Sequence, residues 1–197
     1  MYSKMIIGID EVGRGPLAGP VTLCACAIPA GQLKKFFAGE FKGIKDSKKL
    51  SPQAREFFFE KVKAKRGQGS VVYAVSHVSA VIIDRIGISK AVARALKRCL
   101  IKLDLTAARC QVLLDGSLKA PAHFQNQKTI IRGDATVPII SLASVIAKVT
   151  RDRKMTRLAK EFPEYGLEIH KGYGTLLHQK ALKKHGLSPL HRRSFCH

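Results

Sequence analysis

Asp10 and Glu11 stand side by side after an apolar run, Ile6-Ile7-Gly8-Ile9, and a bare-backbone turn with one arginine, Val12-Gly13-Arg14-Gly15-Pro16, follows at once. Asp115 closes a second apolar run, Gln111 to Leu114, and Asp134 follows a third, Thr129 to Ile131. A carboxylate at the end of a buried strand is poorly hydrated, and a lone charge there is expensive. Four such groups converging on one sheet edge repel unless protons or cations neutralise them. Hard oxygen ligands with open positions suit Mg²⁺ or Mn²⁺. Two ions about 3.5–4 Å apart hold an attacking water and a departing oxygen across one phosphate. Neighbouring strand residues face opposite ways, so Glu11 is expected to join Asp10 because the strand has already ended, at Val12-Gly13.

The other acids read differently. Glu40, Asp46, Glu56, Glu60, Asp104, Glu161, Glu164 and Glu168 lie in polar surroundings and are expected at the surface. Asp84 falls on the polar face of a short helix, and Asp152 follows Lys148 by four residues, the spacing of a helical ion pair. Ser141, Ser144, Lys148 and Arg151 share one helical face after Asp134, and hydroxyls near a helix N-terminus bind phosphate readily.

Positioning these groups requires a mixed sheet. Strands are expected over 4–10, 21–28, 71–78, 111–114 and 129–131. Ser51 with Pro52 opens a helix to about Lys65, in which Phe57, Phe58 and Phe59 read as core. Short helices are expected over 32–37 and 80–86, and Ser89 is the expected cap of a longer one reaching Leu105. Ser141 to Phe162 and Thr175 to His185 complete the set. The order describes an α/β fold, a mixed sheet with helices on its faces. From Pro163 a C-terminal helical appendage (163–197) follows the core (1–162).

Thirty-five Lys and Arg against fourteen Asp and Glu give a net charge of +21 in 197 residues, which favours a polyanionic partner, nucleic acid first. No run of about 18 apolar residues predicts a membrane span, and the first residues are expected to leave no room for a signal peptide. Five cysteines without Cys-x-x-Cys spacing argue against a disulfide framework or zinc site and fit a reducing cytoplasm.

The run Asp10-Glu11-Val12-Gly13-Arg14-Gly15-Pro16-Leu17-Ala18-Gly19-Pro20-Val21 resembles the opening signature of bacterial ribonuclease HII, the type 2 ribonuclease H. Lys45-Asp46-Ser47-Lys48-Lys49-Leu50, Asp115-Gly116 and Gly133-Asp134-Ala135 resemble later blocks of that family. So do Ser144-Val145-Ile146-Ala147-Lys148-Val149-Thr150-Arg151-Asp152, His170-Lys171-Gly172-Tyr173-Gly174-Thr175 and His191-Arg192-Arg193-Ser194-Phe195. Leu142 stands where the family usually has a smaller residue. The resemblance implies a ribonuclease H-like five-stranded sheet. It implies hydrolysis of RNA paired with DNA, including incision 5′ of a single ribonucleotide in duplex DNA, leaving 5′-phosphate and 3′-hydroxyl ends. It assigns two Mg²⁺ or Mn²⁺ ions to Asp10, Glu11, Asp115 and Asp134, and ribose sensing to Gly13, Arg14 and Gly15 with Tyr173 near the sugar. The 2′-hydroxyl is the group that separates RNA from DNA.

Lys48, Lys148, Arg14 and Ser144 are the expected phosphate contacts, and Arg192 and Arg193 are expected to extend the basic track. A monomer is expected; a DNA-bound clamp partner is not readable from the residues. Two rivals remain open. A basic RNA- or ribosome-binding protein accounts for the charge but not for four acids at strand ends. A type 3 enzyme or junction resolvase accounts for the acids but not for Gly13-Arg14-Gly15.

Overall fold

A computed structural model describes residues 4–44 and 47–196. Lys45 and Asp46, in the basic loop, lie outside the described residues, as do 1–3 and 197. The strands are β1 (Met5–Val12), β2 (Val21–Pro29), β3 (Val72–Val78), β4 (Cys110–Asp115) and β5 (Gln127–Ile130). The helices are α1 (Leu33–Ala38), α2 (Pro52–Gly67), α3 (Ala80–Ile86), α4 (Ile88–Leu103), α5 (Gly133–Thr136), α6 (Pro138–Glu161), α7 (Leu167–His170) and α8 (Leu176–His185). The sheet order is β3-β2-β1-β4-β5. β2 runs antiparallel to β1 and β3, whereas β1, β4 and β5 are parallel. The carboxyl ends of those three strands therefore lie at one end of the sheet, the end that open α/β sheets use for ligands.

Alternation along β1 decides which helix meets which side chain. Ile7 and Ile9 face a core shared with Val92, Ala95, Leu96 and Cys99 of α4. Ile6 faces the opposite core, with Phe58, Phe59 and Val62 of α2 and Ile139 to Val149 of α6. A Cβ on Gly8 would stand 2.4 Å from the Ile139 carbonyl oxygen, so glycine lets α6 pack directly on β1. Leu142 is wholly buried in this core. β2 reads as a nearly continuous apolar run because both of its faces are covered.

Several local expectations need correction. Ser51 caps α2 as expected, accepting from the Ala54 amide at 3.1 Å with Pro52 at the first helical position. Phe57, however, is 56% exposed beneath Lys61 instead of joining Phe58 and Phe59 in the core. Gly87, at φ +79°, separates α3 from α4, so Ser89 lies inside α4 and does not cap it. The β5 strand is a half-exposed edge, not an apolar run, and Asp134 sits one step further on, in the single turn α5. The long helix begins at Pro138, so Ser144 lies about two turns in, where the amides are already bonded.

After α6 the chain packs back against the loop between β1 and β2. Met155, Ala159, Tyr165 and Leu167 gather around Ala18. Arg192 donates its amide to Leu17 O at 2.7 Å, and Gly19 donates to Leu190 O at 2.9 Å.

Candidate active site

Asp10 lies on the α6-facing side of β1, two residues before Val12, and it is buried. Asp115 continues the alternation of Leu113 to the same face of the sheet. Its Oδ1 accepts the Asp134 amide at 3.2 Å, and the Asp134 carbonyl accepts from Ser141 Oγ at 2.7 Å. Glu11 arrives by a different route from the one its sequence suggests. β1 does not end at Asp10; it pairs with β2 as far as Val12↔Thr22. Pairing with β4 stops at Ile9↔Leu114, which leaves the end of the sheet open on that side. There Glu11 feels the Asp115 charge, and its Oε1 accepts from Arg14 Nη1 at 3.2 Å.

Burial dominates the electrostatics. It pushes the Asp10 carboxyl well above the ordinary range, with Glu11 and Asp115 adding repulsion and a hydrogen bond from Ser144 opposing the rise. Burial also raises Glu11, against the pull of Arg14. Glu11 Oε2 is buried with no donor among the described residues. An orphaned buried acceptor costs about 1–3 kcal/mol, and a hard cation would satisfy it. No three carboxylate, imidazole or thiol groups among the described residues stand close enough together to hold a metal ion as they are. Two of the acids have a basic side chain against them, with Lys48 Nζ 3.9 Å from Asp134 Oδ2 and Arg14 on Glu11. The donors fit an open site at which cations complete the geometry.

The expected anion contacts divide into two kinds. Lys48 and Arg14 are exposed beside the acids. Lys148 pairs with Asp152 at 2.9 Å, the helical spacing, and Ser144 Oγ bonds Ser47 Oγ at 2.8 Å as well as Asp10. Ser141 is turned inward onto Asp134 O and Val137 O and offers no phosphate contact. Arg151 is buried, donating to Pro20 O, Lys171 O and Ala18 O at 2.9, 2.9 and 3.2 Å. It is part of the scaffold.

Arg192 also departs from expectation. Instead of extending a surface track, its guanidinium is fully buried and donates to Gly19 O, Arg14 O and Gly13 O at 3.0, 2.8 and 2.7 Å. Burial and the nearby Arg151 lower its pKa to about 10, so it stays charged at neutrality. Arg193 is exposed, and its amide is held by Asp84, which caps the final turn at 2.9 Å. Gly13, at φ +87°, lies where a Cβ would meet Arg151 Nε at 2.3 Å. Gly15 has no atom within 4 Å of where its Cβ would stand. Tyr173 is 41% exposed, with Arg151 6.0 Å from its ring centre.

The ribonuclease HII family model matches residues 7–197. The chain belongs to the ribonuclease HII family. It is 42% identical over 190 residues to a ribonuclease HII of Endomicrobium trichonymphae, covering 96% of this chain and 84% of that one. It is 44% identical to the ribonuclease HII of Desulfitobacterium hafniense, covering 96% and 68%. Among solved structures, the ribonuclease HII of Archaeoglobus fulgidus in its PCNA complex superposes with a TM-score of 0.70 at 26% identity, over 96% and 94% of the two chains. A Bst ribonuclease HIII in complex with Mn²⁺ shares the fold at a TM-score of 0.74 and 22% identity, over 98% and 68%. As a ribonuclease HII family member the chain is an endoribonuclease acting on nucleic acid. No helix among the described residues is long and apolar enough to cross a membrane.

Proposed function

We propose that this ribonuclease HII cuts the RNA strand of RNA–DNA hybrids and incises on the 5′ side of a single ribonucleotide in duplex DNA, leaving 5′-phosphate and 3′-hydroxyl ends. Asp10, Glu11, Asp115 and Asp134 would hold two Mg²⁺ or Mn²⁺ ions. When bound, such ions lower the pKa of water and stabilise a departing oxygen. The protein's own groups do the rest. Ser144 orients Asp10, and the Asp134 amide fixes Asp115. Lys48 and Arg14 meet backbone phosphate, which positions the duplex without reading sequence.

One observation carries the ribose reading. Gly15 needs neither a positive φ nor empty space for the fold, because nothing lies within 4 Å of its absent Cβ. A glycine the fold does not require is accounted for by a ligand that approaches the backbone closely. The adjoining Gly13 and Arg14 carbonyls are held by Arg192, which keeps this stretch rigid beside Glu11.

The test is a DNA duplex carrying one ribonucleotide, incubated with Mg²⁺ or Mn²⁺ beside an all-DNA control. Incision at the ribonucleotide alone is expected, and Gly15→Ala should melt like wild type while losing that incision. No cut beside the ribose, or equal cutting of the control, would overturn the proposal.

A further inference from the structure

Three histidines, from the end of α7, from α8 and from the chain's final stretch, lie together beside the Tyr173 carbonyl. His170 stacks on His178 at 4.3 Å between ring centres, and His178 lies 5.2 Å from His191. Their partners fix every proton. The Ser188 amide can only donate, and it reaches His191 Nδ1 at 3.0 Å, so the His191 hydrogen is on Nε2. The Tyr173 carbonyl can only accept, and it lies 3.0 Å from His178 Nδ1, so that nitrogen carries hydrogen and His178 Nε2 is bare. The 3.0 Å contact between the two Nε2 atoms therefore has one donor and one acceptor. The result is a directed line: Ser188 amide to His191, His191 to His178, His178 to the Tyr173 carbonyl.

Each end of that line belongs to a segment of the candidate ribose site. His191 bridges Ala18 through its backbone and precedes Arg192, which clamps Gly13 and Arg14. The two peptide groups flanking Tyr173 are held by different means. The Gly172 carbonyl accepts from the Leu17 and Ala18 amides at 2.8 and 3.2 Å. The Tyr173 carbonyl is held by His178 and the Thr175 amide.

We infer that His178 and His191 are positioning residues for the nuclease reaction: their hydrogen bond fixes the carbonyl side of Tyr173 relative to the Gly13-Arg14-Gly15 loop. The inference rests on Tyr173 and that loop meeting the ribose, as proposed above. A proton added to His178 puts N–H on both Nε2 atoms and breaks the link, whereas one added to His191 sets its Nδ1–H against the Ser188 amide. The groups facing the pair are His170 on His178 and Tyr165, 4.8 Å from the His191 ring, with His185 beyond the tyrosine. Burial lowers both pKa values, His191 to about 4.

Two measurements test this. Nitrogen-15 NMR of the histidines in the full chain at pH 7 should find His178 protonated at Nδ1 and His191 at Nε2, both neutral. In steady-state incision of the single-ribonucleotide duplex, His178→Gln should lower kcat about tenfold at unchanged KM, a small displacement of a sugar contact. His178→Asn returns an amide N–H to the Tyr173 carbonyl but has no group to meet His191, so it should recover only part of the lost activity, and full recovery would show that the bond to His191 is dispensable. A charged ring, the opposite His178 tautomer, or equal losses in the two variants tracking their melting temperatures would overturn the inference. A wild type that leaves the ribonucleotide uncut would overturn the proposed function instead, and the tautomers then decide the histidine link by themselves.

Discussion

Two buried polar regions lie within a few residues of each other along the chain, and they are solved in opposite ways. Around Arg151 and Arg192, each guanidinium makes three bonds to carbonyls, among them those of Gly13, Ala18 and Gly19. Around Asp10 and Glu11, acids lie near acids, both carboxyl pKa values are raised, and one oxygen has no donor among the described residues. Satisfied polar networks make rigid frameworks, whereas deficient ones hold free energy that a ligand can release. The difference separates scaffold from chemistry within a single loop.

The sharpest way to break the contrast is Asp10→Asn. It should lower incision by roughly 10³-fold, about 4 kcal/mol of barrier, while the melting temperature in EDTA holds or rises as repulsion is relieved. The reverse holds for Arg192→Met. It leaves three carbonyls without a donor and should destabilise the fold by about 3 kcal/mol or more, a fall of roughly 6–12 °C for a chain of this size, read by thermal melting.

Added Mg²⁺ or Mn²⁺ should raise the wild-type melting temperature by an amount worth about 1–3 kcal/mol at saturating concentration. Asp10→Asn should remove most of that increment, and an equal rise in the variant would mean that the ions bind elsewhere.

The two kinds of region also oppose each other in pH. Asp10 and Glu11 have folded pKa values above their unfolded ones, so their contribution is present at acid pH and is lost as pH rises through the raised values. His178 and His191 are lowered, so theirs is complete above about 6.5 and is lost as pH falls toward about 4. Melting in EDTA across pH 4 to 8 should show Asp10→Asn flattening the decline toward neutral pH and His178→Gln flattening the decline toward acid. The smallest effect belongs to exposed Lys48. Lys48→Ala should weaken duplex binding modestly and reduce the salt slope by about one, with melting unchanged.

Much of this was legible in the sequence because strand ends and glycine turns are local signals. Apolar runs placed β2, β3 and β4 to within a residue at each end, and the parallel order of β1, β4 and β5 then brings Asp10, Asp115 and Asp134 to one end of the sheet. What escaped was long-range. Nothing near Arg151 or Arg192 distinguishes a buried guanidinium from a surface one, since their partners are carbonyls more than a hundred residues away, apart from Lys171 O. Glu11 was misjudged for a related reason: a strand can end against one neighbour and continue against the other. Ser47, His178 and Asp84 gave no signal of their roles, because each is defined by a contact across the fold.

The Arg192 clamp reaches back 179 residues to Gly13. A growing polypeptide on the ribosome thus has its strands and acids in hand long before it has the residue that shapes the loop beside them. Contacts of such span form slowly and late, so nuclease selectivity should appear after the sheet in a refolding time course.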